Sequence, residues 1–173
     1  LGVGDNSDPF ITAAAAEKLV EGDYVFAGAF DKAAADLAVL GWLLGGYRFD
    51  RYKQQKPALA RLVAPENADA AAMRRAAQSV FLVRDLVNTP AGDMGPAALE
   101  QAARNLAMEM GAQIETIVGD ELLGKNFPMV HAVGRAAKGA PRLIDMRWGD
   151  AGAPKLTLVG KGVTFDSGGL NIK

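Results

Sequence analysis

Cysteine is absent from the 173 residues and histidine occurs once, as His131. No disulfide framework and no thiolate zinc site can be built from such a chain, and a reducing cytosol is compatible with it. An excess of one charge is missing too: 19 Lys and Arg stand against 20 Asp and Glu, a formal net charge of -1. That balance offers no bulk attraction for nucleic acid or an anionic membrane surface. Long hydrophobic runs are also lacking. The most apolar stretch, Leu37 to Gly46, falls far short of the roughly 20 residues a spanning helix needs, and no basic leader precedes an apolar segment. With half its residues apolar, the chain reads as a soluble globular protein of the cytoplasm. Its length suits one domain, or one domain plus part of another.

Along the chain, helical and strand signals alternate, which predicts an α/β fold with a central mostly parallel or mixed sheet. Asp8 and Pro9 announce a helix over residues 10–20 and Tyr24 to Phe30 reads as a strand. A long helix is expected from Lys32 to Tyr52, in which Gly41, Gly45 and Gly46 weaken local propensity and so imply close packing. The polar stretch Lys53 to Pro57 is the best candidate boundary, separating residues 1–57 from residues 58–173. Beyond it come a strand at 58–64, a helix at 67–87, a loop from Asn88 to Gly95 and a helix from Pro96 to Met110 closed by Gly111. Gln113–Val118, Arg142–Trp148 and Lys155–Val159 are strand candidates, with a short helix at Asp120–Leu123.

The chemistry concentrates in residues 160–173, Gly-Lys-Gly-Val-Thr-Phe-Asp-Ser-Gly-Gly-Leu-Asn-Ile-Lys. Three readings are open. A phosphate loop is weak, since the Walker spacing of glycines before Lys-Ser/Thr is not met. A plain turn is sufficient on composition: Gly168 and Gly169 tolerate positive φ, and Asp166 and Ser167 bond turn backbone. A metal site is the third, with Asp166 as a hard oxygen ligand and Lys161 as an amine ligand once a cation displaces its proton.

Residues 159–173 resemble the signature of the leucine aminopeptidase (cytosol aminopeptidase) family of two-metal exopeptidases. Supporting matches follow in family order: Tyr47-Arg48-Phe49-Asp50-Arg51-Tyr52-Lys53, Asp85-Leu86-Val87-Asn88-Thr89-Pro90, Gly95-Pro96-Ala97-Ala98-Leu99, Ala132-Val133-Gly134-Arg135-Ala136 and Pro141-Arg142-Leu143-Ile144. The resemblance implies that Lys161 and Asp166 are metal ligands and that Lys173 is the catalytic cation. It implies two divalent ions, zinc or manganese with magnesium or cobalt also acceptable to such ligands, and removal of N-terminal residues from peptide substrates. Lys173 would keep its charge to stabilise the oxyanion that develops at the peptide carbonyl. The family assembles as hexamers, so a homo-hexamer is expected. Residues 1–57 would be the end of an N-terminal α/β domain plus its connecting helix, and residues 58–173 the first part of the catalytic domain.

The chain departs from the family pattern in one respect. The further ligands lie in an Asn-Thr-Asp-Ala/Thr-Glu-Gly-Arg segment, which does not occur in these residues, and Leu1 is not an initiator methionine. The expectation is a fragment of a larger polypeptide, inactive alone because two ligands hold a metal pair weakly. The alternative is a non-catalytic truncated module serving oligomerisation or ligand binding.

Other residues have blander readings. His131 sits in an apolar stretch and is expected to be a hydrogen-bonded packing residue rather than a ligand or base. Arg74, Arg75 and Arg84, diluted by Asp69 and Asp85, read as a solvated helix face. Some bacterial relatives bind DNA, but no basic stripe or recognition helix is present, so nucleic acid is not an expected partner. Trp42 and Trp148 suit either buried packing or an interface.

Overall fold

A computed structural model of the chain describes residues 10–28, 30–56, 59–162 and 164. The chain divides into two compact units, Leu1–Asn88 and Thr89–Lys173.

In the first unit, the alanine-rich helix α1 (Thr12–Lys18) packs on α2 (Lys32–Gly45). The glycines of α2 explain how. A Cβ added at Gly41 would stand 2.5 Å from Thr12 Oγ1, and one at Gly45 would run into the Ala13 carbonyl. Two positions one turn apart thus carry no side chain, and each costs about 1 kcal/mol of helix propensity so that the backbones can meet. Thr12 Oγ1 uses that closeness to donate to Ala38 O at 2.8 Å. The expected close packing at these glycines is what the helices show.

Asp31 caps α2 by accepting from Ala34 N at 2.8 Å. The helix ends at Gly45, seven residues before the expected Tyr52, at the Gly45-Gly46 pair of low helix propensity, where Gly46 N–H is shared between Trp42 O and Leu43 O. Helix α1 likewise starts at Thr12 with Ile11 as its cap and no side-chain cap bond. The expected start signals Asp8 and Pro9 lie outside the described residues.

Strand β1 (Gly22–Tyr24) pairs in parallel with β2 (Ala60–Leu62), with Gly22 opposite Ala60 and Tyr24 opposite Leu62. Helix α2 lies between them in sequence, as a parallel pair requires. Both strands are shorter than expected. Past Tyr24 the chain leaves the ladder, with Gly28 at φ 121° and the Phe26 and Phe30 rings packed on one another at 5.3 Å rather than alternating across a sheet. Ala15, Ala16, Trp42 and Ala60 form the core here, joined by Leu19, Tyr24 and Leu62. Trp42 is therefore a packing residue, 6.0 Å from the Tyr24 ring.

Helix α3 (Ala70–Asn88) closes the unit against α2. Asp69 caps it, accepting from Ala72 N at 2.9 Å, while its own N–H donates to Asp36. Within this unit β2 pairs with β1 and α3 packs on α2.

The second unit opens with α4 (Pro96–Met110), which has proline in its first turn and ends on Gly111 in the left-handed region at φ 65°. Its bounds are those read from sequence. Strand β3 (Gln113–Val118) pairs with β4 (Arg142–Arg147) in antiparallel register from Gln113 opposite Arg147 to Val118 opposite Arg142. Two short helices, α5 (Glu121–Gly124) and α6 (Pro128–Gly134), lie in the connection. Gly119 reverses the chain at φ 60° and its N–H donates to Pro141 O at 2.8 Å, pinning the two ends of that connection together. The α/β class holds, with one parallel and one antiparallel pair among the described strands.

Candidate functional site

The strand expected at Lys155–Val159 does not form: residues 154–162 have no ladder partner among the described residues. An extended segment becomes a strand only when its N–H and C=O groups pair across a ladder. Leu156, Leu158 and Val159 are 81%, 86% and 93% exposed. Lys161, at the end of this segment, is exposed as well. Asp166 and Lys173 lie outside the described residues, as does the Gly168-Gly169 turn. Among the described residues no group of three His, Asp or Glu side chains could hold a metal ion. Of the three expected site residues, the structure therefore describes one, on a loop where its amine is accessible.

The loop has a close neighbour. A Cβ built at Gly162 would lie 3.3 Å from Leu99 Cδ2, so the backbone after Lys161 runs against α4. The next residue on that helix, Glu100, is the centre of a polar knot. It is one of the few polar residues buried among the described ones, at 9% exposure. Arg104 Nε donates to Glu100 Oε1 at 2.8 Å from one turn along, Arg142 Nη1 of β4 donates to Oε2, and the Thr116 hydroxyl of β3 donates to Oε1 at 3.2 Å. Arg104 Nη2 also donates to Thr116 Oγ1 at 2.8 Å.

Burial pushes the Glu100 carboxyl upward, but the bonds from Arg104 and Arg142, the Arg142 charge and the Thr116 hydroxyl outweigh it. The pKa lies below the ordinary glutamate value. One carboxylate thereby ties α4 to both strands of the hairpin. Sequence reasoning did not single out Glu100; its i,i+4 spacing to Arg104 was the only local signal.

In the first unit, two of the motifs that carry the family resemblance meet. Tyr47 OH donates to Asp85 Oδ1 at 2.7 Å and accepts from Asn88 Nδ2 at 3.1 Å. The Arg84 guanidinium lies 5.2 Å from the Tyr47 ring centroid and donates to Leu44 O, and Phe81 packs on the same ring. Arg84 is thus committed to the α2–α3 contact, while Arg74 and Arg75 are exposed.

His131 behaves as its reading predicts: Nε2 is 3.0 Å from Asp120 Oδ1, with the ring largely buried. Trp148 is 78% exposed and donates through Nε1 to Met110 O. Among the described residues, no helix is long and apolar enough to cross a membrane.

Residues 81–173 match the model of the cytosol aminopeptidase family, catalytic domain, and residues 1–65 match the M17 aminopeptidase, N-terminal domain. The chain belongs to the cytosol aminopeptidase family. It is 38% identical over 160 residues to a probable cytosol aminopeptidase of Rhizobium rhizogenes, a match covering 82% of this chain and 32% of the relative. Among solved structures, the cytosol aminopeptidase of Coxiella burnetii is similar with a TM-score of 0.84 and 40% identity, covering 97% of this chain and 37% of that one. The bottromycin maturation enzyme BotP in complex with Mn is similar with a TM-score of 0.68 and 28% identity, over 80% of this chain and 32% of that one. The chain spans about a third of the length of the curated relatives it matches.

Proposed function

We propose that the protein is a metal-dependent aminopeptidase that removes N-terminal amino acids, leucine-type, from peptides. The observation that carries this reading is the match of residues 81–173 to the family's catalytic domain, a span that includes Lys161, Asp166 and Lys173. Lys161 and Asp166 would hold divalent metal, and the donor set fits: an accessible amine on the 154–162 loop and, five residues on, a carboxylate. When bound, the metals would polarise the scissile carbonyl and make a water acidic enough to attack near neutral pH. Lys173 would keep its proton and stabilise negative charge as it develops on the carbonyl oxygen.

Two metal ions, manganese or zinc, are the proposed complement, with magnesium or cobalt also compatible with oxygen and amine donors. Manganese is favoured as the first to test because BotP, 28% identical, is solved with Mn. A homo-hexamer in the cytoplasm, acting on peptides, completes the reading. The proposed division of the chain is an N-terminal domain with its connecting helix, followed by the first part of the catalytic domain; the matches to residues 1–65 and 81–173 support it.

The test is hydrolysis of leucine p-nitroanilide by the full-length protein, chelated and then reloaded with manganese. Release of nitroaniline that is lost on chelation and returns with metal is the expected result. Turnover unaffected by complete chelation would exclude the reading.

A further inference from the structure

Glu100, which ties α4 to the β3–β4 hairpin, is adjacent to Leu99, the residue against which the loop backbone packs at Gly162. Gly160 has open space around it, whereas Gly162 does not. The loop that presents Lys161 therefore meets α4 at Gly162, against the residue that precedes Glu100. We infer that Glu100 is a positioning residue for Lys161: its carboxylate fixes α4 on the hairpin, Leu99 backs Gly162, and the amine of Lys161 is held where a divalent cation meets it. This rests on the reading of Lys161 as a metal ligand.

The physical requirement is stiffness. A loop ligand loses conformational freedom when it binds metal, and a fixed support lowers that loss. Glu100 supplies the support because three donors from three elements converge on it. Arg104 comes from its own helix, Thr116 from β3 and Arg142 from β4. Replacing the carboxylate by an amide keeps the volume but removes the charge that holds both guanidinium groups, so α4 and the backing of Gly162 loosen together. At Gly162 an added methyl would press on the end of a flexible side chain, and shortening that side chain would make room again.

The experiment is manganese titration by calorimetry of the full-length protein and its K161A, E100Q, G162A and G162A/L99A variants, with circular dichroism on each. Outer partners of metal ligands typically contribute about 10- to 100-fold to affinity, so E100Q is expected to bind about tenfold more weakly. G162A, whose methyl meets the end of a flexible side chain, is expected to bind more weakly by a smaller factor, with L99A restoring binding in the G162A background. Excess manganese should bring E100Q hydrolysis back toward wild type, a recovery that a folding defect would not show. If wild type binds, K161A does not, and E100Q and G162A bind like wild type, the positioning role is overturned while the metal-ligand reading stands. If K161A binds like wild type, the metal-ligand reading falls and this inference with it. Should E100Q fail to fold, the G162A and L99A pair decides: no rescue overturns the inference.

Discussion

Tyr47 donates its phenolic hydrogen to Asp85 Oδ1 at 2.7 Å, joining the end of α2 to the last turns of α3 across 38 residues of sequence. The same ring receives Asn88 on its oxygen, Arg84 on its face and Phe81 beside it. Tyr47 lies just past the end of α2, so the contact ties the residues that follow the helix to the neighbouring helix.

Replacing Tyr47 with Phe removes both polar bonds and keeps the ring. A loss of about 1 kcal/mol in unfolding free energy, read from urea denaturation, is the expected effect. Burial and then the bond to Asp85 raise the Tyr47 pKa above the ordinary tyrosine value. Its folded pKa is therefore the higher one, and the stability it contributes is present below the unfolded pKa and lost as pH rises through the folded one. Alkaline titration at 295 nm should show an ionisation above the usual tyrosine range that Y47F abolishes.

Gly45→Ala tests helix propensity against packing. In isolation alanine would favour the helix by about 1 kcal/mol, yet the Cβ meets the Ala13 carbonyl, and overpacking costs about 1–3 kcal/mol or more. Net destabilisation, seen as a lower Tm, is the expected sign; a higher Tm would mean that α1 and α2 do not meet as described.

Glu100→Gln leaves Arg142, itself largely buried, without its carboxylate, and should destabilise by about 3 kcal/mol at pH 7. Because the Glu100 pKa is lowered in the folded protein, its contribution is present above the unfolded glutamate pKa and is lost as pH falls through the folded value. Unfolding free energies of wild type and E100Q should differ at pH 7 and converge in acid. Curves that stay parallel down to pH 2 would contradict this role for the charge.

The site residues should separate by effect. Asp166→Ala is expected to abolish manganese-dependent hydrolysis and weaken metal binding, whereas Lys173→Met should retain metal and lose roughly 100- to 1000-fold in kcat. Metal content by atomic emission beside steady-state kinetics distinguishes the two. An active D166A protein would end its assignment as a ligand.

Local signals read well where local physics decides. Helix α4 could be delimited in advance because Pro96 and Gly111 act on their own backbone, at a first turn and at a left-handed cap. Strand β3 was equally legible from its β-branched and apolar run, and the closeness of α1 to α2 from glycines that nothing local favours. The lengths of β1 and β2, the fate of residues 155–159 and helix α6 were not legible. Each depends on whether a distant segment offers a ladder or a face, and the apolar composition of Lys155–Val159 is the same with or without a partner.

The sequence by itself determined the α/β class and the family, and it pointed to the three residues for which chemistry is proposed, because turn glycines, caps and a motif are properties of consecutive residues. Only the tertiary structure decided that β3 and β4 run antiparallel, that Tyr47 meets Asp85 and that Glu100 gathers Arg104, Thr116 and Arg142. Those contacts join residues as many as 42 positions apart. Chain geometry brings them together, and no property of either residue alone encodes the meeting.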